Sequence, residues 1–153
     1  MDCTCSALRM AARRMTQAYD AALAPLGLNT PQFALLGALD RWKGAPPTVR
    51  QMAQQMALDR TTLAHNLRPL ERDGLVEVVA DPEDRRIRRI VLTEAGRARR
   101  AAAFPLWRAA QDRFDATFGD ARSRDLMATL EDIARHLDLS VSAAAAGDHS
   151  HAG

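Results

Sequence analysis

From Arg60 to Arg72 the chain sets hydroxyl, imidazole, carboxamide and guanidinium groups at helical intervals, as Arg60, Thr61, Thr62, His65, Asn66, Arg68 and Arg72. These are groups that exchange hydrogen bonds with base edges and phosphate oxygens, and Glu71 is the one carboxylate in the run. A second cluster, Arg85, Arg86, Arg88 and Arg89, follows closely. Guanidinium groups this dense repel one another unless anions lie near. Nucleic-acid phosphates would supply those anions, and so would Asp81, Glu83 and Asp84 in the same turn. Two thiols, Cys3 and Cys5, stand at the amino terminus.

The elements that must hold these groups can be read from their flanks. Asp59 is a good helix N-cap and Gly74 sits where a left-handed C-cap falls. At about 100° per residue, Leu63, Leu67 and Leu70 form a buried stripe, with Thr61, His65, Arg68 and Arg72 centred on the opposite side. Thr61, Thr62, His65 and Asn66 are expected to read bases, and Arg60 and Arg68 to hold phosphates. Pro69 predicts a kink or a tightened turn. Thr48 and Gln51 make a capping box for a preceding short helix with Val49, Met52, Ala53 and Met56 inward, and Ala57-Leu58-Asp59 joins the two. After Gly74 the period becomes extended: strands over Leu75–Ala80 and Ile87–Leu92 flank the turn Asp81-Pro82-Glu83-Asp84.

Amphipathic helices surround this unit. One runs from Cys5 to Ala24 with Leu8, Ala12, Met15, Tyr19, Ala22 and Leu23 at three- and four-residue steps, and Gly27 closes it after Pro25. Thr30-Pro31 starts the next, threonine as cap, with Phe33, Leu36 and Leu39 inward until Gly44. Thr93 caps a long helix with Ala103, Trp107, Ala110, Phe114 and Phe118 in one stripe and a bend expected at Pro105; a last helix carries Leu126, Leu130, Ile133 and Leu137. Such stripes exceed what a small domain can cover, which predicts a second copy of the chain.

The expected architecture is mainly α with a small β-hairpin: one domain over 1–139, a winged helix-turn-helix core over 30–92, dimerisation helices over 5–26 and 93–139, and a low-complexity, disordered tail over 140–153. At 153 residues, 47% apolar and with a formal charge of +2, the chain fits one domain, and the case for nucleic acid rests on where the arginines cluster. No run of eighteen apolar residues and no signal-like start occur, so a cytoplasmic location without membrane association is expected.

The segments LDRTTLAHNLRPLERDGL and DPEDRRIRRIVLTEAG resemble the recognition helix and wing of MarR-family winged-helix transcriptional regulators, and the resemblance extends from about Cys5 to about Leu139. It implies a homodimer on double-stranded DNA, a repressor released from a pseudo-palindromic operator by a small effector. It also implies that Arg86 reaches the minor groove while Asp84 braces the wing; Arg85 and Arg88 would add backbone affinity. The family often binds small aromatic acids, and Arg13, Trp42, Trp107 and Arg108 are the candidate effector groups, although plain packing is the commoner role of a tryptophan.

The segment Cys5–Tyr19 is similar to the first helix of the organic-hydroperoxide-sensing branch, with Ala7, Leu8, Arg13, Met15 and Thr16 fixing the register. That similarity implies Cys5 as the peroxide-reactive thiol and Tyr19 as its hydrogen-bonding partner across the dimer, whereas Arg9 and Thr30 replace two further tyrosines. A thiol at a helix amino terminus near Arg9 favours thiolate, and Cys3 is a candidate resolving thiol. Cys3, Cys5, His149 and His151 match no zinc-ligand spacing, so neither metal nor cofactor is expected. An enzyme is not expected either: His65 lies on the DNA face, His136 on the last helix, and no glycine-rich phosphate loop exists.

Overall fold

The computed structural model describes residues 3–136. They divide between two compact units, Met1–Arg113 and Phe114–Gly153. The first unit begins with α1 (Thr4–Leu23), a single 3₁₀ turn (Ala24–Leu26) and α2 (Thr30–Arg41). Next come α3 (Val49–Gln55), α4 (Arg60–Arg72), β1 (Val76–Ala80) and β2 (Arg88–Leu92). Helix α5 (Glu94–Phe118) continues into the second unit, which also holds α6 (Asp120–His136). Among the described residues no helix is long and apolar enough to cross a membrane.

The local signals explain most element ends. Thr48 and Gln51 form a reciprocal capping box on α3, and the Asp59 side chain accepts the Thr62 amide at the start of α4. Gly74, at φ 69°, turns the chain from α4 into β1. Ala57 adopts φ 51°, the left-handed turn by which α3 reverses into α4. The strands pair antiparallel from Val76 opposite Leu92 to Ala80 opposite Arg88. Leu63, Leu67 and Leu70 of α4 join Leu35, Leu36, Met52, Leu75, Val76 and Ile90 in one buried core.

Several expectations are corrected. Asn29, not Thr30, caps α2: its side chain accepts the Gln32 amide while Gln32 returns a bond to the Asn29 amide, which leaves Thr30 inside the helix. Thr30 gives both its amide and its hydroxyl to Asp20 Oδ1, at 2.6 Å each, fastening α2 to α1. Helix α2 ends at Arg41, ahead of Gly44. Helix α1 begins at Thr4, so Cys3 and not Cys5 takes the cap position. The strands start or end within a residue of the expected bounds. Both prolines lie inside unbroken helices, Pro69 in α4 and Pro105 in α5. Each deprives the carbonyl four residues earlier of its donor; those residues, His65 and Ala101, are exposed, so water can replace the lost bond. Leu137 and the segment 140–153, with His149 and His151, lie outside the described residues.

Thr93 joins the hairpin to α5. Its hydroxyl donates to the Gly74 carbonyl at 2.7 Å and accepts the Gly96 amide at 3.0 Å. Gly96 is pressed onto the hairpin base: a β-carbon there would lie 2.1 Å from the Leu75 carbonyl oxygen and 2.7 Å from Leu92 Cδ1.

Candidate nucleic-acid interface and neighbouring pocket

On α4, Thr61, His65 and Arg68 are exposed on the side opposite the leucine stripe, and Arg60 is exposed at the first position of the helix. Thr62 is exposed as well, but its hydroxyl donates to Asp59 Oδ2 at 2.7 Å while its amide bonds Oδ1 at 2.8 Å. The Thr62 hydroxyl, and then its amide, hold the Asp59 carboxyl below the usual aspartate range. Thr62 therefore serves the cap first. Asn66 departs from the expected reading surface: it is 8% exposed, and its Nδ2 donates to the Thr62 carbonyl at 3.2 Å. One step of about 100° beyond His65 is enough to turn a side chain from solvent toward the Leu63–Leu67–Leu70 stripe. Arg50 and Gln54, one turn apart on α3, line a shallow groove with Arg60 at the start of α4. Sequence reasoning missed both. Their signal was present, since they occupy the polar side of α3 opposite Met52 and Ala53.

The wing is organised by two carboxylates. Asp81 is buried and accepts the Glu83 amide at 2.9 Å, the Asp84 amide at 3.0 Å and the Arg89 guanidinium. The Asp84 amide, and then Arg89, hold its carboxyl below the usual range. Arg89 also donates to the Pro46 carbonyl at 2.6 Å and so ties the wing to the segment before α3. Asp84 accepts three bonds from Arg86: from Nε at 3.0 Å, from Nη2 at 2.9 Å and from its amide at 3.0 Å. The Arg86 side chain is nevertheless 90% exposed, held out from the wing by this fork. Arg88 donates to the Val78 carbonyl at 2.7 Å, and Arg85 is exposed. Arg89 and Arg86 are each paired with a carboxylate of the turn, Arg89 half-buried and Arg86 exposed, while Arg85 and Arg88 are exposed with no carboxylate partner among the described residues.

The thiols and the other effector candidates do not form one site. Cys3 and Cys5 are exposed and unlinked. The Ser6 amide, then the Cys5 amide and the Ser6 hydroxyl, lower the Cys3 thiol from its ordinary value. Tyr19 is buried and its hydroxyl donates to Gln111 Oε1 of the same chain. Arg13 lies on an exposed side of α1 with Ser6, Met10, Arg14 and Gln17. Trp42 donates from Nε1 to the Ala45 carbonyl at 3.0 Å, closing the turn after α2. Arg108 pairs with Asp112 one turn along α5 at 2.9 Å.

Trp107 lines a pocket of about 230 Å³ whose other walls are Thr30, Phe33, Ala34, Gly37 and Arg41 of α2 and Arg100 and Phe104 of α5. Its ring stacks on Phe33 with centroids 5.9 Å apart and lies 5.6 Å from Phe104 and 6.4 Å from Tyr19. Arg41, Arg100, Phe33 and Phe104 were not foreseen as pocket residues. Among the described residues no group of three or more histidine, cysteine or acidic side chains could hold a metal ion.

A family model described as MarR family matches residues 26–87, the helix-turn-helix and most of the wing. The organic hydroperoxide resistance transcriptional regulator of Bacillus subtilis is 36% identical over 92 residues, 60% of this chain and 61% of that protein. The chain thus spans about three fifths of the length of that curated relative. The Mycobacterium tuberculosis transcriptional regulator MosR, in a crystal structure with DNA, is 42% identical; the match covers 87% of this chain and 96% of that one, with a TM-score of 0.73. The transcriptional repressor CouR bound to a 23-mer DNA duplex is 29% identical over 88% of this chain and 94% of that one, with a TM-score of 0.79. CouR from Rhodococcus jostii RHA1 has also been solved with p-coumaroyl-CoA, at 28% identity, 91% and 96% coverage and a TM-score of 0.72.

Proposed function

The chain belongs to the MarR family, and from that premise we propose that it is a homodimeric, sequence-specific, cytoplasmic DNA-binding regulator, a repressor that leaves a pseudo-palindromic operator when a small aromatic effector binds. The relatives named above are transcriptional regulators, and none is named as an enzyme. The observation that carries the reading is the pairing of two exposed polar surfaces in one compact unit. One is the acid-poor side of α4 with Thr61, His65 and Arg68, with Arg60 exposed at its start; the other is Arg86, braced by Asp84 on the wing. Helix α4 suits a major groove and the wing suits the flanking backbone and minor groove. Two relatives were solved on DNA, which supports the same use of these surfaces here.

In this reading Thr61 and His65 contact bases, with Thr62 presenting its remaining oxygen lone pair. Arg60, Arg68, Arg50 and Gln54 hold phosphates, Arg86 enters the minor groove, and Arg85 and Arg88 add backbone contacts. Residues 5–26 and 93–139 pair the subunits. Footprinting on the DNA upstream of the protein's own gene, repeated across a salt series, tests it. A protected pseudo-palindrome with affinity falling steeply in salt is the expected result; equal affinity for unrelated duplexes overturns it.

A second reading has its own observations. The Bacillus relative is named for organic hydroperoxide resistance, and here two exposed thiols flank the start of α1. In this alternative a thiolate attacks an organic peroxide, forming an S–O bond as O–O breaks and an alcohol leaves. A second thiol then displaces the oxygen as water to give a disulfide. The resemblance points to Cys5 as the attacking thiol, whereas the hydrogen bonds at the helix start favour thiolate at Cys3. If operator release by an organic peroxide persists in Cys5→Ser and vanishes in Cys3→Ser, Cys3 is the sensor; if the parent shows no release, the redox reading is gone.

A further inference from the structure

The arginine at the root of the wing and the arginine at its tip are joined by an unbroken run of hydrogen bonds. Arg89 Nη1 donates to the Pro46 carbonyl at 2.6 Å, and its Nε donates to Asp81 Oδ2. The other oxygen of Asp81 accepts the Glu83 amide at 2.9 Å and the Asp84 amide at 3.0 Å. Asp84 in turn accepts Arg86 through Nε, Nη2 and the backbone amide. Each link orients the next, so the guanidinium at the tip is placed, by way of Asp84, Asp81 and Arg89, from a carbonyl just ahead of α3.

The main chain fixes both ends of this run. At the tip, the Ile87 amide donates to the Asp84 carbonyl and the Asp81 amide to the Ile87 carbonyl, each at 2.9 Å, which closes the turn around Arg86. At the root, Thr48 pairs with Arg89 in an isolated bridge, and the Ile90 amide donates to the Pro47 carbonyl at 2.9 Å. Residues 46–48 thus run along the second edge of β2 and lead directly into α3, where Thr48 caps the Gln51 amide. A lone two-stranded hairpin is a weak element, and a long exposed side chain loses rotamer freedom when DNA fixes it. A wing tied at its root and forked at its tip loses less on binding.

We propose that Arg89 is a positioning residue for the wing: without touching DNA, it holds Asp81 and, through Asp81 and Asp84, presents Arg86 to the minor groove in a fixed relation to the helix-turn-helix. The inference deepens the regulator reading above and rests on it. Arg89 suits positioning better than direct contact. Its side chain is 27% exposed against 90% for Arg86, and its Nε and Nη1 are both engaged within the fold.

A double-mutant cycle on the operator separates positioning from contact. Affinity is read by fluorescence anisotropy over a salt series for the parent, Arg86→Ala, Arg89→Met and the double variant, each at a temperature where circular dichroism shows it folded. Arg86→Ala is expected to weaken binding about ten-fold in the parent and less than two-fold in Arg89→Met, and the double variant should keep the salt slope of Arg86→Ala alone. Additive losses, with a slope lower by a further charge in the double variant, make Arg89 a phosphate contact and overturn the proposal. Asp81→Asn severs the run by another route, since the amide keeps an oxygen for the Glu83 and Asp84 amides but turns an N–H toward Arg89. It should abolish the Arg86 effect as well, and a full ten-fold effect in that background is fatal even if Arg89→Met does not fold. A measurement without DNA keeps the two readings apart. Exchange of the Arg86 Nε proton with water, followed by NMR in the free protein, is expected to quicken at least three-fold in both Arg89→Met and Asp81→Asn; unchanged exchange contradicts the coupling. Faster exchange in a protein that binds no operator defeats the regulator reading, while operator binding with additive variants defeats the positioning inference alone.

Discussion

Arg86 and Arg89 lie three residues apart on the wing, yet their environments assign them opposite work. Arg89 binds buried Asp81 and the Pro46 carbonyl, whereas Arg86 is forked by Asp84 and stays 90% exposed. Arg86→Ala should therefore lower operator affinity and reduce the slope of log K against log salt by about one, with the melting temperature little changed. Arg89→Ala should lower the melting temperature, because Asp81 then loses its cation while staying out of water. If both variants alter only the salt slope, the division is wrong. The carboxylates predict a pH response of definite sign. Asp59, Asp81 and Asp84 all titrate below the usual aspartate value of about 4 in the folded chain. Their contribution is complete above that value and is lost as pH falls through the lower folded values, where the carboxylates take up protons and release Thr62, the Asp84 amide with Arg89, and Arg86. Urea midpoints should accordingly stay level from pH 7 to pH 5 in respect of these groups and fall below about pH 4. Asp81→Asn should flatten that acid limb; an unchanged limb would assign the acid sensitivity elsewhere. At this scale the sequence was read well where a side chain acts on its near neighbours, as with Asp59 on Thr62. It was read badly where a rotation of about 100° decides, as with Asn66 against His65.

Between elements, the contact of α5 with the hairpin base depends on a missing side chain. Gly96 has the Leu75 carbonyl and Leu92 Cδ1 where a β-carbon would go, and the carbonyl is backbone that cannot turn aside. Gly96→Ala should cost about 1–3 kcal/mol by overpacking, and more if the first turn of α5 must lift from the strands, which chemical unfolding measures directly. Retained stability would mean that this contact is loose in solution. The same variant should weaken operator binding, because Thr93 bonds both the Gly74 carbonyl at the end of α4 and the Gly96 amide. The caps of α3 and α4, the Gly74 reversal and the hairpin turn were legible in advance, since each rests on bonds spanning two to four residues, whereas the α2 cap was misplaced by one residue, from Asn29 to Thr30. The pocket between α2 and α5 was not legible. Arg41 and Arg100 meet only because α2 and α5 pack together, and no local pattern distinguishes Arg100 from Arg97 or Arg99. Of the effector candidates, Trp107 lines this pocket, whereas Trp42 closes a turn and Arg108 makes a pair along the helix surface.

For the molecule as a whole, the apolar side chains left uncovered are the strongest physical argument for a second copy. Met10, Phe104, Phe118, Leu126 and Met127 are each more than 40% exposed, on helices that flank the winged core in sequence rather than on α4 or the wing. Side chains of this size on three helices are more than a solitary domain usually presents, and a two-fold partner would cover them on both copies. In the proposed dimer, two α4 helices related by a two-fold axis would address half-sites about 34–36 Å apart, one duplex turn. Leu126→Glu combined with Met127→Glu places charge on α6 without touching α4 or the wing. The solution mass by light scattering should fall from twice 16.8 kDa to 16.8 kDa. Operator affinity should drop by several orders of magnitude, because a lone subunit holds one half-site and loses the effective concentration its twin supplies. Inserting five base pairs between the half-sites should harm the parent protein severely and the monomeric variant hardly at all, since half a turn rotates the second site to the far side of the duplex only for a reader that needs both. A monomeric parent, or a double variant that still binds as a dimer, would show that the uncovered helices meet something other than their own copy.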